Sequence, residues 1–454
     1  MMEKFEYKGS WWLPEDPDRK VGGILEFSPD EGIRLKLTYP LEPDNHLSLI
    51  APELIFGETE KGKVTLYHCL ETKRKISSNK IATSEIVGQI VALGSHVDFK
   101  KDVFSSMRAE SPELDFWTPF GWVALPHRRA KNEFCIRCYI PDKLDACLND
   151  GTKVALEVRI ERSWTLVPAE VRLRRKTFVN VTPASPSPFE RCLGLLQTML
   201  DLVSLGLSRP AIPSEIVGVL KPQEEVEIVY KPIKHSSNKA LLNPFQTLFT
   251  CADISDHFDE FIRRWFDLSD RLRPVLNLYL ATLYAQEMYV ESYFLNIIHA
   301  LEAYHRLAMG GQDLPEDEHQ KRVSEIINSA PSQWRQWLKE QLKYSNEKRL
   351  RSRLMEICET SQSITKKLIG SKKKVKHFIS QVVDTRNYLT HYDPAYAEKA
   401  VHGRQLFYLT QRLKVLLECC LLRELGFPDP FILERIEKVS VNRLPLITVW
   451  ALAD

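Results

Sequence analysis

The residues best suited to chemistry lie in one short stretch near the C-terminus, around an arginine, an asparagine and a histidine. Within Val382–Asp393, Asn387 and His391 are four residues apart, so they share one face of a helix. Asp384 comes seven residues before His391, within roughly 20° of the same line around the helix axis. Arg386 lies beside this stripe. One helix end therefore presents a cation, a carboxamide and an imidazole together.

These side chains suit RNA cleavage in which the ribose 2′-hydroxyl attacks the neighbouring phosphate. A histidine can exchange protons because its pKa lies near neutrality, and the end of a helix favours its charged form. A guanidinium can hold a phosphate and stabilise the charge of the transition state.

Cys135 and Cys138 form a lone CxxC pair in a predicted strand, where their side chains point to opposite faces and cannot bind one metal ion together. We therefore expect a reaction without metal or cofactor.

The spacing of the arginine and the histidine is a weak signal by itself, because chance gives about one such pair in a chain of this composition. The context is more specific, since Asn387 follows the arginine directly and Pro394 stops the helix just beyond the histidine. The alternative is a structural role for both residues. In that case Arg386 pairs with Asp384, and His391 caps helix carbonyl groups.

Further polar residues are candidates for a supporting role. Glu302 lies on a predicted helix and can orient Arg386 or His391, whereas a metal pair of Glu302 with His305 is the weaker interpretation. A lysine cluster precedes the motif helix and can contact phosphates without reading sequence, with a solvated loop as the alternative. It consists of Lys366, Lys367, Lys372, Lys373, Lys374 and Lys376.

The elements that must position these residues change character along the chain. Residues 1–181 contain short alternating strands between turn residues, which predicts an antiparallel sandwich or barrel-like domain. The predicted strands include Ile24–Phe27, Ile33–Leu37, Lys63–Tyr67, Phe134–Ile140, Val154–Ile160 and Ala169–Leu173. We interpret the clustered aromatic residues as core rather than ligand platform. They are Trp11, Trp12, Trp117, Phe120 and Trp122.

A breaker cluster, Thr182–Pro188, marks a junction. Residues 182–242 then combine a predicted helix, Phe189–Leu205, with two strands, Ile216–Leu220 and Val226–Tyr230. We assign this segment to the N-terminal half as a connecting lobe.

Residues 243–454 carry apolar residues at helical spacing, which predicts an all-α bundle. The predicted helices are Ile254–Leu268, Pro274–Ala285, Val290–Ala308, Asp317–Ser329, Gln333–Tyr344, Leu350–Cys358, Val375–His391 and Tyr396–Leu425. The expected fold class is therefore α+β and multidomain, with an antiparallel β-rich domain followed by a helical bundle.

Composition and charge exclude several classes of protein. The 454 residues are 44% hydrophobic and 27% charged, as in folded globular chains. A net charge of +2 means that any nucleic acid must bind to a local patch. Nine scattered cysteines do not fit a secreted disulfide framework. The sequence has neither a membrane-length apolar run nor a signal-peptide core, so we expect a cytoplasmic protein without a membrane partner.

The motif and its surroundings resemble a known family. Arg386-Asn387-Tyr388-Leu389-Thr390-His391 is similar to the Arg-Asn-x3-His signature of HEPN domains. The surrounding helical chain resembles the ApeA-like branch in Leu295–Arg306, Asn346–Leu354 and Leu421–Gly426. The segment Gly9–Pro14, leading into Gly22–Phe27, resembles the N-terminal domain of ApeA-type bacterial anti-phage proteins.

This resemblance implies an endoribonuclease in which Arg386 and His391 are catalytic and Asn387 orients them. It also implies a homodimer or higher homo-oligomer, with two motif helices facing each other across one cleft. The implied substrate is RNA, with tRNA as one candidate, and activity awaits an unknown phage-derived trigger, as in abortive infection. The β-rich domain would sense that trigger or restrain the nuclease.

Two other functions stay open. One is a HEPN module that binds RNA or a nucleotide without cutting it, coupled to a ligand-sensing β-domain. The other is a toxin-neutralising partner.

Overall fold

The computed structural model describes residues 4–42, 49–76, 82–118, 127–130, 133–135, 140–166, 169–231, 247–285 and 287–443. The chain divides into two compact units. One comprises Met1–Leu242 with Phe249–Phe266, and the other comprises Asn243–Leu248 with Asp267–Asp454. Strands dominate the first unit and helices the second, so the predicted change from antiparallel β to all-α is confirmed.

The strands of the first unit pair antiparallel in every described ladder. Their bounds are β1 (Phe5–Trp12), β2 (Val21–Ser28), β3 (Gly32–Leu37), β4 (Leu54–Thr59), β5 (Gly62–Ile76), β6 (Ala82–Gly94), β7 (Val103–Phe104), β8 (Ser106–Glu110), β9 (His127–Ala130), β10 (Glu133–Cys135), β11 (Leu144–Cys147), β12 (Lys153–Leu166), β13 (Ala169–Thr182), β14 (Ser187–Pro188), β15 (Glu215–Lys221) and β16 (Glu224–Tyr230).

Six of these strands close into a barrel, in the order β1-β2-β3-β6-β5-β4 and back to β1. Alternation along each strand turns one set of large apolar side chains inward. Trp11, Leu25, Leu35 and Leu66 are fully buried in this core. A Cβ atom at Gly57 would overlap the ring of Trp11, so the barrel needs glycine there. Of the two predicted forms, these strands adopt the barrel.

Strand β6 also extends the sheet beyond the barrel. Its Ser84–Gly88 half pairs with β3, and its Ile90–Leu93 half pairs with β16. From β16 the sheet continues through β15, β8, β13, β12 and β11. Both strands predicted in residues 182–242 therefore belong to this continuous sheet. The helix predicted there is α2 (Phe189–Leu207), which packs against β8 and β13.

The aromatic residues interpreted as core are buried where the structure describes them. Trp11 and Trp117 are 0% exposed and Trp12 is 7% exposed. Phe120 and Trp122 lie outside the described residues, as does Cys138. The predicted strand Phe134–Ile140 is represented by β10 at its start, and its residues 136–139 lie outside the described ranges.

The remaining helices, apart from α1 and most of α3, belong to the second unit. Their bounds are α1 (Pro112–Trp117), α3 (Phe258–Arg271), α4 (Arg273–Tyr284), α5 (Val290–Ala308), α6 (Glu316–Ser329), α7 (Arg335–Leu342), α8 (Leu350–Thr360), α9 (Gln362–Leu368), α10 (Lys372–His391), α11 (Pro394–Ala397), α12 (Gly403–Glu424) and α13 (Asp429–Arg443). Helix α5 packs against α4, α8, α10 and α12. None of the described helices is long and apolar enough to cross a membrane.

The prediction of one helix over Tyr396–Leu425 is wrong. The chain forms α11, leaves helical geometry and starts again as α12 at Gly403, whose φ is +53°. The physical reason is a tertiary hydrogen bond, because the Val401 N–H donates to Thr385 Oγ1 of α10 at 3.1 Å. This bond holds the connecting segment against the motif helix.

A buried ion pair within β5 is linked by hydrogen bonds to the segment before β4 and to β6. Arg74 donates to both Glu71 carboxylate oxygens, from Nε at 2.9 Å and from Nη2 at 2.6 Å. Ser84 Oγ and the Ile50 N–H donate to the same carboxylate, at 2.6 and 3.1 Å. Burial raises the pKa of Glu71, but these hydrogen bonds together outweigh burial and hold the pKa below its usual value.

Glu71→Ala is expected to destabilise the first unit by about 3–5 kcal/mol, because it removes the counter-charge of Arg74 from a buried position. Since the folded pKa of Glu71 is lowered, its contribution is full above the unfolded pKa and disappears as pH falls through the folded pKa. Acidification below about pH 4 should therefore cost the variant less stability than the wild type. Urea unfolding at neutral and acid pH measures both effects.

The control for this prediction is Glu60→Ala, which removes an exposed carboxylate from the turn between β4 and β5. It should change the free energy of unfolding by less than about 0.5 kcal/mol. Equal shifts of the unfolding midpoint in the two variants would contradict the account given for Glu71.

Candidate active site

Helix α10 carries the motif on the flank of a buried stripe. Its buried residues recur at helical spacing and anchor it to the bundle. They are Val375, Phe378, Ile379, Val382, Thr385 and Leu389. Asp384, Arg386 and Asn387 lie half-buried beside this stripe, and His391 is exposed in the last turn. The helix ends at His391, and Asp393 caps the next helix with Pro394 at its first position. The predicted stop before Pro394 is confirmed.

The guanidinium of Arg386 bridges two helices. Its Nη2 lies 3.6 Å from Glu302 Oε1 of α5, and its Nη1 donates to Asn387 Oδ1 at 3.4 Å. The side chains of Arg386 and Glu302 are 26% and 24% exposed, so the pair is half-buried but open to solvent. Both contacts are long, which leaves guanidinium N–H groups able to reach a phosphate.

A second arginine holds the part of α5 that carries Glu302. Arg353 of α8 is 3% exposed. It donates from Nη1 to the Glu302 backbone carbonyl at 3.5 Å and from Nε to the Lys348 carbonyl at 2.7 Å. The position of the Glu302 carboxylate is therefore fixed through the backbone of its helix as well as by Arg386.

The His391 ring is available for chemistry. Within the ranges that the structure describes, no group hydrogen-bonds to it, and it does not cap a carbonyl. Asp384 accepts from Ser380 Oγ at 3.3 Å, while the carboxylate beside Arg386 is that of Glu302. The geometry thus departs from the structural alternative in which Arg386 pairs with Asp384. Arg386, held by Glu302 and Asn387, therefore lies five residues before an unengaged imidazole on the same helix.

Family models match both units of the chain. The model for ApeA N-terminal domain 1 matches residues 6–265, which are 260 of the 454 residues. The chain belongs to the ApeA family. The model for Apea-like HEPN matches residues 295–431, and this region includes Arg386, Asn387 and His391. The resemblance seen in the sequence is therefore confirmed. No curated protein and no solved structure matches the chain at a significant level.

The lysine cluster lies far from the motif histidine in the HEPN region. Lys372, Lys373, Lys374 and Lys376 are exposed at the start of α10, whereas His391 ends the same helix. At 1.5 Å per residue, the two ends lie about 25 Å apart. These lysines are close to His391 in the sequence, but they do not lie beside its imidazole. Lys366 and Lys367 are exposed on α9, and Lys367 pairs with Glu437 at 2.6 Å.

The first turn of α10 is an unfavourable place for cations, because the helix dipole is positive there. It contains three consecutive lysines, Lys372–Lys374, and no acidic residue. An anion bound at this end would relieve the repulsion. A phosphate contact by these lysines stays a prediction.

Glu302 and His305 do not form a pair on the HEPN helix α5. His305 is 0% exposed and its Nε2 lies 2.9 Å from Glu356 Oε2 of α8. Burial lowers the pKa of His305, and the opposing effect of Glu356 does not restore it to its ordinary value. In the part of the chain that the structure describes, no group of three His, Cys, Asp or Glu side chains is placed to hold a metal ion.

Three aromatic rings beside the motif were missed by the sequence reasoning. Tyr388 contacts Tyr392 with ring centroids 5.8 Å apart and His402 with centroids 5.5 Å apart, both edge to face. The spacing of Tyr388 and Tyr392, four residues apart around His391, was a signal that would have found two of them. His402 comes from the connection that the structure inserts between α11 and α12.

Proposed function

We propose that this ApeA-family chain is an endoribonuclease that acts in defence against phage by abortive infection. The supporting observation is the geometry at the end of α10: Arg386 is held between Glu302 and Asn387, five residues before an exposed His391. The ApeA and HEPN matches support the same reading, because they join a defence-type N-terminal domain to a domain family rich in ribonucleases.

In the proposed reaction, the ribose 2′-oxygen forms a bond to the adjacent phosphorus and the bond to the 5′-oxygen breaks. His391 takes the 2′-hydroxyl proton or delivers a proton to the leaving 5′-oxygen. Arg386 stabilises the charge on the phosphate oxygens, and Asn387 and Glu302 orient the guanidinium. A homodimer with two facing α10 helices would supply one histidine for each proton transfer.

The substrate and regulation belong to the same proposal. RNA, with tRNA as a candidate, binds along α10, and the lysines at its far end contact the phosphate backbone. The N-terminal domain senses a phage-derived trigger or restrains the nuclease before infection. No metal takes part in the proposed steps.

The chemistry of the products tests this proposal. Cells that make the chain should fragment RNA after phage challenge, with 2′,3′-cyclic phosphate and 5′-hydroxyl ends. The purified protein should cut a defined RNA equally well with EDTA and with Mg²⁺. A matched RNA with a single 2′-deoxyribose at the cleavage site should stay intact there, because it lacks the nucleophile.

Three outcomes would count against the proposal. Strong inhibition by EDTA, or 5′-phosphate ends, would contradict the mechanism. RNA that is bound and shifted but intact would instead support the alternative of a non-cleaving HEPN module with a ligand-sensing β-domain.

A further inference from the structure

The residue after His391 has an unfavourable backbone conformation. Tyr392 ends α10 with φ 51° and ψ 30°, in the left-handed region where helices usually place glycine. A residue with a Cβ atom is strained there, and aromatic residues rarely occupy it. The Tyr392 N–H donates to the Tyr388 carbonyl at 2.6 Å, so the conformation is fixed. Glycine would make the same turn without strain, so the turn alone does not require a tyrosine at this position.

The ring of Tyr392 is supported on one side and open to solvent. It is 70% exposed. Its ring meets that of Tyr388 at 66°, and the ring of Tyr388 meets that of His402 at 89°. Edge-to-face packing of this kind favours a defined orientation of each ring. An exposed, oriented aromatic ring therefore stands directly beside His391.

We propose that Tyr392 stacks on the base of an unpaired RNA nucleotide next to the phosphate that is cleaved. This inference rests on the proposed nuclease function, because His391 sets the position of that phosphate. The nucleophilic 2′-hydroxyl and the neighbouring base belong to the same ribose, so this base must come close to the histidine. Tyr392 is adjacent to His391 in the chain and offers a stacking surface there.

Stacking on Tyr392 would select one class of RNA substrate. In a duplex, each base is already stacked and paired, whereas an unpaired nucleotide can turn its base onto an aromatic side chain. Stacking on an aromatic ring tolerates every base, because each has a π-face. The substrate is therefore RNA that is unpaired at the cleavage site, such as a loop, with little preference for base identity from Tyr392.

Cleavage by ring variants provides the first test. Tyr392→Gly removes both the ring and the strain, so its melting temperature should equal or exceed that of the wild type. Its kcat/KM on an RNA hairpin cut in the loop should fall about tenfold, while Tyr392→Phe should stay within about twofold. The matched control is Tyr289→Ala, which removes an 84% exposed tyrosine before α5. Wild-type kcat/KM in Tyr392→Gly would overturn the inference.

Binding without cleavage provides the second test and separates this inference from the proposed function. An RNA hairpin with 2-aminopurine in its loop is titrated with the full chain carrying His391→Ala. Its fluorescence should be quenched by stacking, and the added Tyr392→Gly change should remove that quenching. If the wild type never cuts RNA but this difference is seen, the nuclease proposal fails and the stacking site stands. Equal fluorescence with both proteins, quenched or not, overturns the stacking site.

Discussion

Replacement of His391 by alanine is expected to abolish RNA cleavage, lowering kcat about 10²–10⁴-fold. The imidazole is the exposed general acid–base group at the end of α10, and no described group hydrogen-bonds to it. The measurement compares wild type and variant for cleavage of a defined RNA, and for RNA integrity and growth of cells challenged with phage. Only the wild type should fragment RNA and arrest growth.

A matched control for this loss is His299→Ala, which removes another exposed histidine of the helical unit from α5. It should leave cleavage and melting temperature unchanged. If His391→Ala stays folded and fragments RNA as fast as the wild type, the histidine is not catalytic. The non-cleaving binding module then becomes the better account of the HEPN region.

Arg386→Ala is expected to lower kcat about 10²–10³-fold, because it removes the group that stabilises charge on the phosphate. Arg386→Lys should recover only part of the activity, since an ammonium cannot donate two parallel hydrogen bonds to a phosphate. Glu302→Gln should have a smaller effect, because the guanidinium keeps its contact with Asn387 Oδ1. Single-turnover cleavage of saturating RNA measures this order of effects.

The control for the arginine is Arg322→Ala, on the exposed surface of α6. Activity per folded molecule should not change in that variant. If Arg386→Ala lowers the melting temperature strongly while cleavage by the folded fraction persists, Arg386 holds α5 and α10 together and does not act on the phosphate. Rescue by lysine to wild-type rates would point the same way.

Local patterns in the sequence predicted most of the elements. Short alternating segments between turn residues predicted the strands within β2, β3, β5, β12 and β13. The Asp393-Pro394 pair predicted the end of the motif helix, because the residue before a proline avoids helical geometry. The expectation that Glu302 lies near Arg386 agrees with their 3.6 Å separation, although its role stays a prediction.

The features that local sequence patterns did not predict depend on tertiary structure. Closure of the barrel depends on β1 pairing with β4 and β3 pairing with β6, and no short-range signal specifies those partners. The break before α12 depends on the bond from Val401 to Thr385, while the apolar spacing runs on through it. The lysines at the start of α10 looked close to the motif in sequence, but most of the length of this helix separates them from His391.

The order of the strands along the chain has a consequence for biosynthesis. All six barrel strands lie within Phe5–Gly94, so they can pair soon after they leave the ribosome. The rest of the sheet needs β16, and the first unit also includes Phe249–Phe266. The residues of the motif, Arg386 to His391, emerge more than a hundred residues later. A growing chain therefore has its N-terminal unit complete before the motif is made, and a chain aborted between the two would lack the proposed catalytic residues.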